Sequence, residues 1–195
     1  MYELPTKVDL NDNIQYGIRN GGDFRTILDI FSVLEDQELE KQERIVCALI
    51  IFYEDLNSLE DVLALSEENM ETAVKKMFDF FNAGRSDTQQ KQNYKLMDWN
   101  DDSAIIISAV NNVAGKEVRQ EEYCHWWTFM SYYMAIGEST LSTVLAIRDK
   151  MLKGKQLEKW ENQFKADNPQ YFNWNHKTAD EIEAESWLMS VWNKE

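Results

Sequence analysis

The chain has 195 residues, 35 of them Asp or Glu and 20 Lys or Arg, for a formal charge of −15. With 44% hydrophobic and 12% aromatic residues it carries enough apolar material for a real core, which excludes a disordered acidic tail. The charge disfavours phosphate backbones and anionic lipid surfaces as partners, so no nucleic acid and no membrane are expected, and 7 Gly with 2 Pro are too few for a sandwich or barrel. The expected fold is mainly α. It is a single helical domain of about seven to eight helices over residues 1–166, with a short N-terminal β-hairpin and a C-terminal helical extension over 167–195.

In residues 7–19, Val8 and Leu10, then Ile14, Tyr16 and Ile18, alternate around Asn11-Asp12-Asn13, which predicts the hairpin. Asn20-Gly21-Gly22 breaks the alternation. Phe24, Ile27, Leu28, Phe31 and Leu34 then recur at helical spacing, so a helix starts near Asp23. A second helix from about Glu38 ends in the nine-residue apolar run Ile45–Tyr53, which is expected deep in the core. That run is about half of the ~20 residues a membrane span requires.

Ser58 is placed to cap a short helix through Leu65, and Ser66 a longer one carrying Met70, Val74, Met77, Phe78 and Phe81. Residues 85–95 lack any aliphatic side chain and are expected to form a mobile loop. Helices are then predicted from about Asp101 to Gly115, Glu121 to Ile136, Ser139 to Leu152 and Gln156 to Ala166. A last one opens at Thr178, where Thr178-Ala-Asp-Glu181 forms a capping-box pattern.

Glycine-rich nucleotide loops and Cys-x-x-Cys pairs are absent from the sequence. Glu122 and His125 stand three apart, the spacing of di-iron bundles on one helix face, but such a site needs two of these motifs and the second is missing, since His176 is preceded three back by Asn173. Cys124 beside His125 would point about 100° away on a helix, too far to share a proton. The doubled carboxylates Glu54-Asp55, Glu60-Asp61 and Asp101-Asp102 suit helix ends better than acid/base catalysis. No catalytic residue, metal ligand or cofactor is therefore nominated. Cys47 and Cys124 lie in apolar stretches and read as core thiols in a reducing compartment, and Met1-Tyr-Glu-Leu-Pro has neither the basic start nor the apolar core of an export signal.

Two features bear on partners. The aromatic residues Trp126, Trp127, Phe129, Tyr132 and Tyr133 fit either a central core helix or hot-spot anchors for another protein, and the tail with Trp187 and Trp192 is expected to dock either on its own domain or on another subunit. Residues 35–71 hold twelve acidic and two basic side chains. Glu40, Glu43, Glu67 and Glu68 in that stretch are expected on an acidic face, either merely solvated or serving as a docking and anti-aggregation surface.

Three ordered blocks, Asp23-Phe24-Arg25-Thr26, Asp98-Trp-Asn-Asp-Asp-Ser-Ala-Ile106 and Tyr123-Cys-His125-Trp126-Trp127-Thr-Phe129, resemble the bacteriophage "gene product fifteen" family over about residues 3–165. The aromatic, acidic tail departs from the basic ending of that pattern. By the usual gene position between the major tail and tape-measure genes, the resemblance implies a non-enzymatic tail assembly chaperone. Its partners would be the tape-measure protein and the major tail protein, with self-association possible, and its place the host bacterial cytoplasm during phage assembly. His125, Trp126 and Trp127 enter only as the family signature. A structural virion or tail component and an acidic inhibitor of a host DNA-binding protein are the alternatives.

Overall fold

A computed structural model describes residues 3–11, 14–83, 85 and 95–174. The expected loop (apart from Arg85 and Lys95), the Thr178 helix, Trp187 and Trp192 lie outside the described residues. The fold is mainly helical, as expected, behind an antiparallel hairpin of β1 (Lys7–Asn11) and β2 (Ile14–Gly17). Eight α-helices follow among the described residues: α1 (Phe24–Glu35), α2 (Lys41–Phe52), α3 (Leu59–Leu63), α4 (Glu67–Phe81), α5 (Ser103–Ala114), α6 (Trp126–Met134), α7 (Thr140–Leu152) and α8 (Lys159–Asp167). None is long and apolar enough to cross a membrane.

Most helix starts obey local chemistry. Asp23, Ser58, Ser66 and Ser139 each accept a hydrogen bond from a backbone N–H of the first turn of α1, α3, α4 and α7. The helix expected from Glu38 begins instead at Lys41, and the one expected from Gln156 begins at Lys159. In both cases a capping box decides the start: Glu40 with Glu43, and Glu158 with Glu161.

The chain divides into two compact units, residues 1–88 with 119–131, and residues 89–118 with 132–195. The first holds the hairpin and α1 to α4. Its core is built from Phe24, Ile27, Ile30, Leu49, Phe52, Val74, Met77 and Phe129. The apolar run of α2 buries Ala48, Leu49 and Phe52, while Ile45, Val46, Cys47, Ile50 and Ile51 are half-buried. Arg19 closes the end of this helix, donating to the carbonyls of Ile50 (3.2 Å), Tyr53 (2.7 Å) and Leu56 (3.0 Å), which have no helical partner of their own.

The turn before α1 requires glycine. Gly22 has φ +75°, and a Cβ there would meet Phe80 Cζ at 2.7 Å and His125 Nε2 at 3.3 Å. Gly22→Ala is expected to destabilise the protein by roughly 2 kcal/mol or more, measured by urea unfolding.

In the second unit α5 and α7 pack on one another, and Ile105, Ile106, Ala109 and Val110 of α5 and Leu141, Val144 and Ile147 of α7 are buried. Gly115, at φ +68°, ends α5 where the sequence predicts it. Past residue 166 the chain does not leave this unit at once: Trp174 is buried and donates through Nε1 to the Lys95 carbonyl at 3.0 Å. Neither Cys47 nor Cys124 is in a disulfide; Cys124 is buried and Cys47 half-buried.

Candidate functional site

The residues of the first and third blocks meet in the first unit. Asp23 is buried, and its carboxylate does more than start α1. Oδ1 accepts from the Arg25 backbone N–H at 3.0 Å, and Oδ2 accepts from the Cys124 N–H at 2.9 Å. Phe24 N–H donates to the Cys124 carbonyl (2.9 Å), so Asp23 and His125 form a short antiparallel bridge. Arg25, paired with Asp23 at 3.0 Å, reaches on to the carbonyls of Arg119 and Glu121. The Tyr123 hydroxyl donates to the Gly21 carbonyl at 2.7 Å.

These bonds hold residues 119–125 against the start of α1, and they correct one expectation. The helix predicted from Glu121 begins only at Trp126, because the preceding backbone is bridged to Asp23. Glu122 and His125 therefore do not share a helix face, and Cys124 and His125 are not helical neighbours. Among the described residues no group of three His, Cys, Asp or Glu side chains is arranged to hold a metal ion.

His125 caps α6. Its Nδ1 accepts the Trp127 N–H at 3.0 Å, which leaves the proton on Nε2, where it is donated to the Pro5 carbonyl at 3.0 Å. Burial pushes the imidazole below its ordinary value and outweighs the Pro5 carbonyl and the Asp23 carboxylate, which favour the charged form. Since the native ring resists the proton that the unfolded ring accepts near pH 6.5, stability is lost as pH falls from about 6.5 toward the depressed native value. Thermal unfolding across that range is expected to show this loss in the wild type, and His125→Asn, whose amide oxygen can still cap, to flatten the slope.

The tandem tryptophans complete the far end of another helix. Trp126 Nε1 donates to the Phe81 carbonyl and Trp127 Nε1 to the Phe80 carbonyl, each at 2.9 Å. These carbonyls lie in the last turn of α4, where the helix supplies few partners of its own. Trp126 is 1% exposed and stacks on Phe129, which in turn stacks on Phe24 at 4.6 Å. Of the nominated partner anchors in this unit, Trp126 and Phe129 thus lie in the core and Trp127 is half-buried.

Tyr132 and Tyr133 belong to the second unit and are half-buried. The Tyr133 hydroxyl meets Met97 Sδ at 3.1 Å and its ring packs on Trp99. The middle block anchors this unit. Asp98 Oδ1 accepts from the N–H groups of Asn100 and Asp101, and Oδ2 from Lys95. Burial opposes its ionisation, but the Lys95 ammonium and these backbone donors outweigh it and bring the carboxyl down to about 2.

Asp102 pairs in two-pronged fashion with Arg148 of α7, at 2.6 and 2.9 Å, and both side chains are 1% exposed. Arg148 also donates to the carbonyls of Leu96 and Tyr171, and Trp174 lies over its guanidinium at 4.3 Å. Asp102 is expected from the sequence as a helix-end carboxylate, with no role foreseen for Arg148. A lone arginine three residues beyond Leu145 and next to Ile147, with Val144 one turn back, was the available signal.

The four acidic residues of the nominated face are exposed and sit at helix starts. Glu40 and Glu43 make the capping box of α2, and Glu67 and Glu68 lie in the first turn of α4. Glu60 and Asp61 do the same in α3, and Asp61 also accepts from the Asn57 N–H at 2.9 Å. Much of the local charge is therefore placed where helix dipoles favour it. Within this acidic stretch two apolar side chains stand out in solvent: Leu59, 50% exposed, and Leu63, 68% exposed.

A family model described as "Bacteriophage Gp15 protein" matches residues 2–171. No curated protein and no solved structure matches the chain.

Proposed function

From its membership of the bacteriophage Gp15 family, which the match over residues 2–171 establishes, we propose that this chain is a phage tail assembly chaperone. It binds the tape-measure protein in the host cytoplasm, keeps that long chain soluble, and brings major tail protein subunits to it. One observation carries the reading beyond the family: exposed leucines stand in a stretch of surface rich in carboxylates. A holding protein needs apolar contact for its client's helices and charge that keeps the loaded complex dispersed.

The His-Trp-Trp block is not assigned to client contact. Its side chains are occupied inside the fold, so they act as scaffold and leave client contact to other residues. Co-expression with the tape-measure protein of the same phage tests the proposal. Transfer of that client from the pellet to the soluble fraction is expected, and equal insolubility with and without this chain would refute it. Mass spectrometry of purified virions separates the chaperone, expected to be absent, from a structural tail component.

A further inference from the structure

We propose that the exposed face of α3 is the docking site for a basic amphipathic helix, a partner segment with an apolar stripe flanked by Lys or Arg. The inference rests on the chaperone reading and names the surface and the chemistry of its client. Helix α3 has five residues and points them two ways. Val62 is fully buried and secures the helix to the first unit, while Leu59 and Leu63, one turn apart and hence on one side, are half or more exposed. Covering such a pair with a partner requires no new helix to form, because α3 is already capped by Ser58 and held by Val62.

The charge around the pair selects the occupant. Residues 45–74 contain Glu54, Asp55, Glu60, Asp61, Glu67, Glu68 and Glu71 and not one Lys or Arg. All seven carboxylates are exposed. Glu60 and Asp61 lie on α3 itself, Glu54 and Asp55 precede it, and Glu67, Glu68 and Glu71 follow within two turns of α4. An apolar stripe with basic flanks gains both contact and charge pairing there. A second copy of this chain, bringing the same acidic stretch, is repelled.

The test uses the full-length protein and two synthetic helical peptides with the same leucine stripe, one flanked by lysines and one by glutamates, followed by fluorescence anisotropy. The lysine peptide is expected to bind in a salt-sensitive way and the glutamate peptide not to bind. Leu59→Gln/Leu63→Gln keeps every charge and is expected to lose roughly tenfold or more in affinity, with unchanged thermal stability because both side chains are exposed. Glu60→Lys/Glu68→Lys is expected to weaken binding of the lysine peptide and reduce its salt dependence. Equal binding of the two peptides, or undiminished binding by the leucine variant, would overturn the proposal.

The same leucine variant in the co-expression experiment separates the two claims. If it still solubilises the tape-measure protein while the wild type does so too, the α3 site is wrong and the chaperone reading stands. If the wild type fails there, the chaperone reading falls, and the peptide titration still decides the α3 surface.

Discussion

Arg148→Met is expected to destabilise the second unit by about 3–5 kcal/mol, because it leaves the Asp102 carboxylate buried without its counter-charge. The cost is compounded by the carbonyls of Leu96 and Tyr171, which lose their donor, and by Trp174, which loses the cation beneath its ring. Arg148→Lys is expected to recover only part of the loss, since a single ammonium cannot reproduce the fork that spans Asp102 and two carbonyls. Adding Asp102→Asn to Arg148→Met is expected to cost far less than Asp102→Asn alone, and urea unfolding of the four proteins measures that coupling. Independent costs that simply add would mean that the pair contributes nothing as a pair.

The second large effect belongs to Trp126. Trp126→Ala removes the largest fully buried side chain among the described residues and is expected to cost about 3–5 kcal/mol, while Trp126→Phe keeps most of the volume and exposes the value of the indole bond to Phe81, about 1–3 kcal/mol. Trp127→Phe is expected to cost less than either, because Trp127 is only half-buried and the Phe80 carbonyl also accepts from the Ala83 N–H. Chemical unfolding of the three variants gives the order. If Trp127→Phe were the worst, the indole at 127 would carry a role that its position in the fold does not explain.

The parts of the fold that were legible in the sequence are those fixed within a few residues. The serine caps at 58 and 66, the helix starts at Asp23 and Ser139, the glycine stop at 115 and the alternation of the hairpin each act over one turn or one strand pair. The start of α6 was not legible, because it depends on bonds between Asp23 and Cys124, about a hundred residues apart in the chain. The same holds for Arg148, whose partners at 96, 102 and 171 come from three separate segments.

The tryptophan pair left two readings open for a related reason. Large aromatic residues side by side suit a core helix as well as a binding surface, and the carbonyls that the two indoles bond to, at 80 and 81, belong to a different helix. The sequence shows the acidic stretch only as a run of charge. Six of its twelve carboxylates, Glu40, Glu43, Glu60, Asp61, Glu67 and Glu68, sit at the starts of three helices, where a carboxylate beside backbone N–H groups is favoured whatever the partner.

In the proposed division of labour the three signature blocks hold the fold and the α3 leucines are the surface offered to the client. Hydrogen–deuterium exchange of the full-length protein, with and without the tape-measure protein, tests this division most directly. The account predicts new protection over residues 59–71 on client binding and none over 23–26, 98–106 and 123–129. Protection confined to the signature blocks, with residues 59–71 unchanged, would contradict it.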